Sequence, residues 1–336
     1  MHIVDYIAKA SNVGFRAIYA IPDRVGRIMK LVVMIPSRNE EGTIGNVIRE
    51  IPKQIAGISE IEVIVIDGAS TDRTREIALE SGAAYVYEDH INRGLASAFR
   101  TGLLIAIRRG ADVIVNTDAD LQYDQKQISD IVAPIINREA DMVMGSRFKG
   151  WIEDMPLKKK IGNRIATFAT SVLAGQKLSD TQSGFRAIHR ELAKFLIVEG
   201  KKTYVQETII RAVRAGFIVK EVPIRFRKRS DESRLIASVW RYAFKVFPDL
   251  LNVYIQVAAM RFFGGLALLL LLLYSPVLAA AFLFIATGSL SFGLALLASF
   301  FSYFLPVILL FCVTGLILDQ ISKLREHIHA VNPLDS

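Results

Sequence analysis

Between Phe262 and Leu318 the sequence has no Asp, Glu, Lys, Arg or His. A bilayer crossing needs only about 20 apolar residues, so a chargeless run of this length excludes an ordinary soluble helix and reads as two crossings. It divides at Thr287-Gly288-Ser289, a natural tight turn, into segments of about 262–286 and 291–318. Cysteine is almost missing: the single Cys312 excludes an internal disulfide and fits a reducing compartment on the domain side. Repeats and low-complexity tracts are absent. The first 28 residues are too polar for the apolar core of a signal peptide. No zinc finger, recognition helix or aromatic RNA-binding motif is present, so the net charge of +8 does not point to nucleic acid.

The charges that are there set a topology. Arg241, Lys245 and Arg261 precede the apolar run, Lys323 and Arg325 follow it, and the turn within it carries none. The positive-inside tendency then puts both ends in the cytoplasm. The expectation is an integral membrane protein of a prokaryotic plasma membrane or of the endoplasmic reticulum. Its basic cytoplasmic domain suits anionic headgroups and phosphorylated substrates. Residues 1–29 form an extension whose weak amphipathicity leaves two readings open, an interfacial helix or a chain start at Met29. A domain over 30–235, amphipathic juxtamembrane helices over 236–261, a hairpin over 262–318 and a tail over 319–336 complete the division.

From Lys30 the pattern alternates. Leu31–Ile35 and Ile61–Ile66 are wholly apolar strands, Ala83–Tyr87 and Met142–Gly145 are shorter ones, and another runs into Asp118. Helices are expected over Thr43–Ile51, Asp72–Ser81, Leu95–Arg109, Gln125–Asn137, Leu157–Leu173 and Tyr204–Arg214, with a last strand at Ile218–Ile224. Continuous apolar strands alternating with helices predict an α/β domain whose mostly parallel sheet is covered on both faces.

The chemistry gathers at the strand ends. Val113 to Gln122 reads as a buried strand running into Asp118-Ala-Asp-Leu-Gln. Side chains at i and i+2 of an extended segment point the same way, so Asp118 and Asp120 face one point beyond the strand's carboxyl end, where open α/β sheets bind ligands. Two adjacent carboxylates repel unless a cation lies between them, and hard divalent ions take such oxygens. The competing reading makes Asp120 the N-cap of the next helix. Other strand ends carry Pro36-Ser-Arg-Asn-Glu-Glu41, Asp67-Gly-Ala-Ser-Thr-Asp-Arg-Thr74, Gly94 to Gly102, Gly145-Ser-Arg147 and Asp180-Thr-Gln-Ser-Gly-Phe-Arg186.

This ordered set, from Lys30 to about Leu235 and followed by a membrane hairpin, resembles the family 2 inverting glycosyltransferases. Within them it is similar to the polyprenyl-phosphate hexose synthases, the group that includes dolichyl-phosphate mannose synthase. The resemblance implies a GT-A, Rossmann-like domain that moves one hexose from GDP- or UDP-hexose to dolichyl or another polyprenyl phosphate. It implies Asp118, Asp120 and Gln122 around Mg²⁺ or Mn²⁺, and Pro36, Arg38, Glu40 and Asp67 in the nucleoside pocket. Arg147 would bind the acceptor phosphate with Lys159 or Lys160. Gln182, Ser183 and Gly184 would close under the sugar, and Arg229 and Arg234 would act from a covering loop. Glu207, where related transferases keep a base, reads as structural or sugar-contacting.

Three positions depart from the family pattern. Asp67-Gly68 stands where Asp-Asp is common, Lys158-Lys-Lys160 where an Arg is common, and Asp231-Glu-Ser-Arg234 where Gly-x-Ser-Lys is common. They leave the donor sugar and nucleotide open. The alternative, a transferase acting on a polysaccharide or other glycan, would carry a Gln-x-x-Arg-Trp motif that this chain lacks. Gly264-Gly265 and Gly288-x4-Gly293 leave room for a homo-oligomer through close helix approach.

Overall fold

Apolar runs at Leu31–Ile35 and Val63–Ile66 can be buried only where helices cover both faces of a sheet. In the computed structural model, which describes residues 29–90, 94–196, 204–228 and 239–331, both runs are buried strands. All five side chains of Leu31–Ile35 are fully buried. Each such side chain contributes about 1.5–3 kcal/mol on leaving water.

The sheet has seven strands: β1 (Met29–Ser37), β2 (Ile58–Asp67), β3 (Tyr85–Glu88), β4 (Val113–Asn116), β5 (Met142–Ile152), β6 (Arg186–His189) and β7 (Val219–Phe226). Their order is β3-β2-β1-β4-β6-β5-β7. β3, β2, β1 and β4 pair in parallel, β7 runs parallel to β5, and β6 is antiparallel to both β4 and β5. The sequence reading had no strand at β6. Its four residues are Arg-Ala-Ile-His, too short and too polar to show a strand pattern.

The helices are α1 (Ile44–Glu50), α2 (Thr74–Glu80), α3 (Leu95–Arg108), α4 (Ile128–Ile136), α5 (Leu157–Ala174), α6 (Arg190–Phe195) and α7 (Val205–Arg214). Ile44, Val47, Ala78, Ile128 and Ile131 of α1, α2 and α4 join one core with Leu31, Val33 and Ile35 of β1. On the opposite face α3 lies so close that a Cβ on its Gly102 would stand 2.7 Å from Met34 Sδ.

The chain divides into two compact units, Met1–Leu250 and Leu251–Ser336. Helix α8 (Val239–Ala286) is interrupted at Ala258, whose φ of −149° and ψ of 39° are non-helical. After Gly288, at φ 88°, come α9 (Leu290–Ser299), a π turn over Phe300–Phe304 and α10 (Leu305–Val331). The π turn ends two residues before Pro306, which cannot donate a backbone hydrogen bond. Ala258–Ala286 and Leu290–Ser322 are long and apolar enough to cross a membrane. The first begins before the expected 262–286 and ends with it, and the second extends beyond the expected 291–318 at both ends. The expected tail is helical as far as Val331. The proposed N-terminal helix falls outside the described residues.

Candidate active site

Parallel pairing brings the carboxyl ends of β1, β2 and β4 together. Ser37 pairs with Asp67, and Met34 with Asn116. Two residues beyond Asn116, Asp118 and Asp120 are each half-buried, with Ala119 buried between them. The backbone then turns sharply, since Leu121 adopts φ 59°. A left-handed residue of this kind costs about 1–3 kcal/mol and persists where surrounding contacts fix it. Those contacts are present: Asp120 Oδ1 accepts from Gln122 N–H at 3.2 Å, and Arg227 N–H donates to the Gln122 carbonyl at 2.7 Å. Asp120 is not a helix cap. The helical turn at Gln125–Gln127 is capped by Asp124, which accepts from Lys126 N–H.

Three buried aromatic and amide groups define the floor around Asp118. Asn116 Nδ2 donates to the Gly184 carbonyl and to Tyr204 Oη, both at 2.8 Å. Gly184 N–H donates to Tyr123 Oη at 3.0 Å. Burial first, and then the charge of Asp118, push the phenols of Tyr123 and Tyr204 far above the ordinary tyrosine range. Both keep their protons. Gly184 is set by space: a Cβ there would lie 3.1 Å from Asp118 Oδ1 and 3.2 Å from Tyr204 Oη. Arg186 is fully buried and ties the same loop to α7. It donates to the Ser183 carbonyl at 2.7 Å, to Thr208 Oγ1 at 2.7 Å and to the Val205 carbonyl at 3.1 Å.

Arg147 lies where the β5–β7 ladder breaks between Ser146 and Trp151. Its guanidinium is buried against Phe226, 5.1 Å from the ring centroid, and donates to Asp180 through Nε at 2.7 Å and Nη2 at 2.9 Å. Burial opposes the charge, but the hydrogen bonds and attraction of Asp180 hold its pKa above the usual arginine value. Glu221 in turn accepts from Ser179 N–H, Ser179 Oγ and Asp180 N–H.

The other expected residues are distributed as follows. Pro36 is half-buried and Arg38 exposed. Glu40 accepts from Thr43 Oγ1 at 3.1 Å. Asp67 is fully buried, and its carboxylate accepts from Ser70 N–H and Ser70 Oγ, holding the turn after β2. Gln182 Oε1 accepts from Gln206 Nε2 at 2.8 Å, and Ser183 Oγ donates to Tyr123 Oη at 3.5 Å. Gln122 Nε2 donates to the Arg227 carbonyl at 3.3 Å. Lys159 and Lys160 lie half-buried in the first turn of α5. Glu207 is buried and paired with Arg211 at 3.1 Å. Arg229 and Arg234 lie outside the described residues.

Sequence reading missed Asn116, Tyr123 and Tyr204 as parts of this centre and gave Asp180 no role of its own within its motif. The one signal was that buried tyrosine hydroxyls need partners. Among the described residues, no group of three or more His, Cys, Asp or Glu side chains is arranged to hold a metal. The pair Asp118 and Asp120 nevertheless fits a hard divalent ion, which commonly keeps waters and substrate phosphates as its remaining ligands.

Comparison with known proteins adds the following. Residues 32–196 match the glycosyl transferase family 2 model. The UDP-N-acetylglucosamine–dolichyl-phosphate N-acetylglucosaminyltransferase of Methanococcus voltae is 32% identical over 216 residues, covering 58% of this chain and 84% of that protein. The dolichyl-phosphate hexose transferase of Haloferax volcanii is 33% identical over 205 residues, covering 61% of this chain and 86% of that protein. Among solved structures, glucosyl-3-phosphoglycerate synthase from Mycobacterium tuberculosis with Mn²⁺, UDP and phosphoglyceric acid superposes with a TM-score of 0.53. The two share 22% sequence identity, over 67% of this chain and 78% of that one. That likeness is one of fold, the mostly parallel sheet of a GT-A domain.

Proposed function

The chain belongs to glycosyl transferase family 2 and is a glycosyltransferase; from that premise we propose that it transfers one hexose from a nucleotide sugar to a polyprenyl phosphate, inverting the anomeric centre. One observation carries the acceptor reading. The chain that holds the Asp118–Asp120 turn also holds two helices apolar enough to cross a membrane, and a water-soluble acceptor would need neither. The names of the Methanococcus and Haloferax relatives support the same acceptor class. The balance of charge around the hairpin supports a cytoplasmic catalytic domain.

Asp118 and Asp120, with Gln122 beside them, would hold Mg²⁺ or Mn²⁺ against the donor diphosphate. When bound, the ion would act as a Lewis acid that neutralises charge on the departing nucleotide diphosphate. Pro36, Arg38, Glu40 and the Asp67 turn would receive the nucleoside. The Gln182–Gly184 loop, fixed from behind by Asn116 and Arg186, would form the floor under the sugar.

The acceptor phosphate would meet Arg147. Asp180 takes the Nε and Nη2 edge of the guanidinium and orients the group, so the Nη1 side would supply the charge-assisted hydrogen bonds to the phosphate. Lys159 or Lys160 would supply a second cation. A phosphate monoester with a second pKa of about 6 is ionised at neutral pH, so its oxygen attacks the anomeric carbon without a protein base. Glu207, spent on Arg211, is not needed as one. The protein's contribution is positioning and fixed charge.

The test uses purified full-length protein in detergent with dolichyl phosphate and Mg²⁺. Radiolabelled GDP-mannose, UDP-glucose and UDP-N-acetylglucosamine are offered separately, and label is counted in the organic extract. Label from one donor identifies the sugar. Transfer to water-soluble glycans alone, with none to lipid, would overturn the acceptor assignment.

A further inference from the structure

The two sides of α5 have opposite character. Its inward side is small and polar: Thr167, Thr170 and Ala174 are buried. Thr181 N–H donates to Thr167 Oγ1 at 3.1 Å, and Arg214 of α7 donates to the Leu173 carbonyl at 2.9 and 2.6 Å. The outward side carries Leu157, Ile161, Ile165, Phe168 and Val172, spaced i, i+4, i+8, i+11 and i+15, which makes one stripe on a helix. These five side chains are between 51% and 72% exposed. A single exposed Leu is ordinary; five aligned large apolar residues form a contiguous patch of the kind that marks an interaction surface.

The charges around the stripe identify its partner. Lys158, Lys159, Lys160 and Arg164 belong to the helix, and no Asp or Glu occurs from Leu157 to Ser179. The nearest acids in sequence, Glu153 and Asp154, precede it. Arg164 stands 5.8 Å from the Phe148 ring centroid, and Trp151 at the end of β5 is also exposed. An apolar face flanked only by cations, with an aromatic at its edge, is the composition of a helix lying in a bilayer interface. A protein groove built for such a helix would need acids of its own, whereas anionic headgroups meet the exposed Lys158 and Arg164 on either side of the stripe.

We propose that α5 is a membrane-docking helix. Its stripe lies in the headgroup–acyl boundary, and Lys158 and Arg164 rest on anionic phospholipid headgroups. This rests on the membrane reading given above and deepens it. β5, which holds Arg147 and Trp151, ends at Ile152 shortly before α5 begins at Leu157, so docking sets Lys159, Lys160 and the end of β5 at the depth where a lipid-linked phosphate is presented. The catalytic domain thereby takes its acceptor from the bilayer surface instead of extracting it.

The experiment uses the full chain with Cys312→Ser, which removes the only cysteine. Phe168→Cys, Leu309→Cys and Glu80→Cys are then made singly and labelled with an environment-sensitive fluorophore. Each is reconstituted into phosphatidylcholine vesicles, with and without phosphatidylglycerol, containing shallow- or deep-placed nitroxide lipids. The proposal expects the label at 168 to shift to the blue, to be quenched more by shallow than by deep nitroxides, and to respond more strongly with phosphatidylglycerol. The label at 309 should be quenched in both compositions and the label at 80 in neither. Water-like, unquenched emission at 168 with quenching at 309 overturns the docking helix and leaves the membrane reading intact. A blue shift at 168 without lipid quenching assigns the stripe to a protein surface and also overturns it. No quenching at 309 overturns the membrane reading itself.

Discussion

Asp180 holds Arg147 in a two-pronged, fully desolvated pair, with Nε to Oδ2 at 2.7 Å and Nη2 to Oδ1 at 2.9 Å. Asp180 Oδ2 also accepts the Arg147 backbone N–H at 3.0 Å. Removing one partner of such a pair leaves an uncompensated buried charge, at a cost of about 3–5 kcal/mol. Asp180→Asn is therefore expected to lower the free energy of unfolding by that order and to raise the apparent KM for lipid phosphate. Denaturant titration and acceptor kinetics check both. A change under about 1 kcal/mol would show the pair to be worth no more than a surface one.

Gly184 is confined to glycine by Asp118 and Tyr204. Gly→Ala at a compatible backbone normally stabilises by about 0.4–1 kcal/mol. Here the new Cβ would stand 3.1 Å from Asp118 Oδ1, displacing a carboxylate proposed to hold the metal. Gly184→Ala should lose that gain, because the Cβ also crowds the buried Tyr204 Oη at 3.2 Å, and its turnover should fall about ten-fold, equivalent to about 1.4 kcal/mol of barrier. Equal turnover in the two proteins would remove the close contact from the account.

Metal dependence should follow the acid pair. Transfer is expected to vanish in EDTA and to return with Mg²⁺ or Mn²⁺. Asp120→Asn should shift half-activation to higher metal concentration, because one hard oxygen ligand loses its charge. Metal titration of the two proteins measures the shift, and coincident curves would exclude Asp120 as a ligand.

The buried phenols predict an alkaline limit to stability. Tyr123 and Tyr204 have folded-state pKa values above the ordinary value of about 10, so the fold favours their protonated forms. Their contribution is complete below pH 10, and it is lost as pH rises above the unfolded value towards the folded one. Denaturation midpoints from about pH 8 to 11 should fall at the upper end for the wild type. The fall should be shallower for Tyr123→Phe/Tyr204→Phe, whatever that variant loses at neutral pH. Parallel profiles would contradict the assignment.

The apolar strands at Leu31–Ile35, Ile61–Ile66 and Val113–Val115, the acid pair beyond them and the two long apolar segments were legible in the sequence, because each is a local pattern with its own periodicity or composition. β6 was not, since Arg186 is buried by partners on α7 and not by its neighbours in the chain. Nor was the Asn116–Tyr204 hydrogen bond, whose partners lie 88 residues apart. The Arg147–Asp180 pair joins two recognisable motifs, Gly-Ser-Arg and Asp-Thr-Gln-Ser-Gly. Nothing in either alone states that one neutralises the other, and 33 residues of chain separate them.

The most direct test is single-turnover transfer of labelled hexose to lipid phosphate by wild type and Asp118→Asn in vesicles of the same composition, with circular dichroism and protease resistance matched beforehand. The account predicts a loss of about a thousand-fold or more in the variant, the scale on which removing a key electrostatic group acts, with membrane insertion unchanged. Turnover within about three-fold of wild type, less than 1 kcal/mol of barrier, would contradict the acid pair as the centre of the reaction.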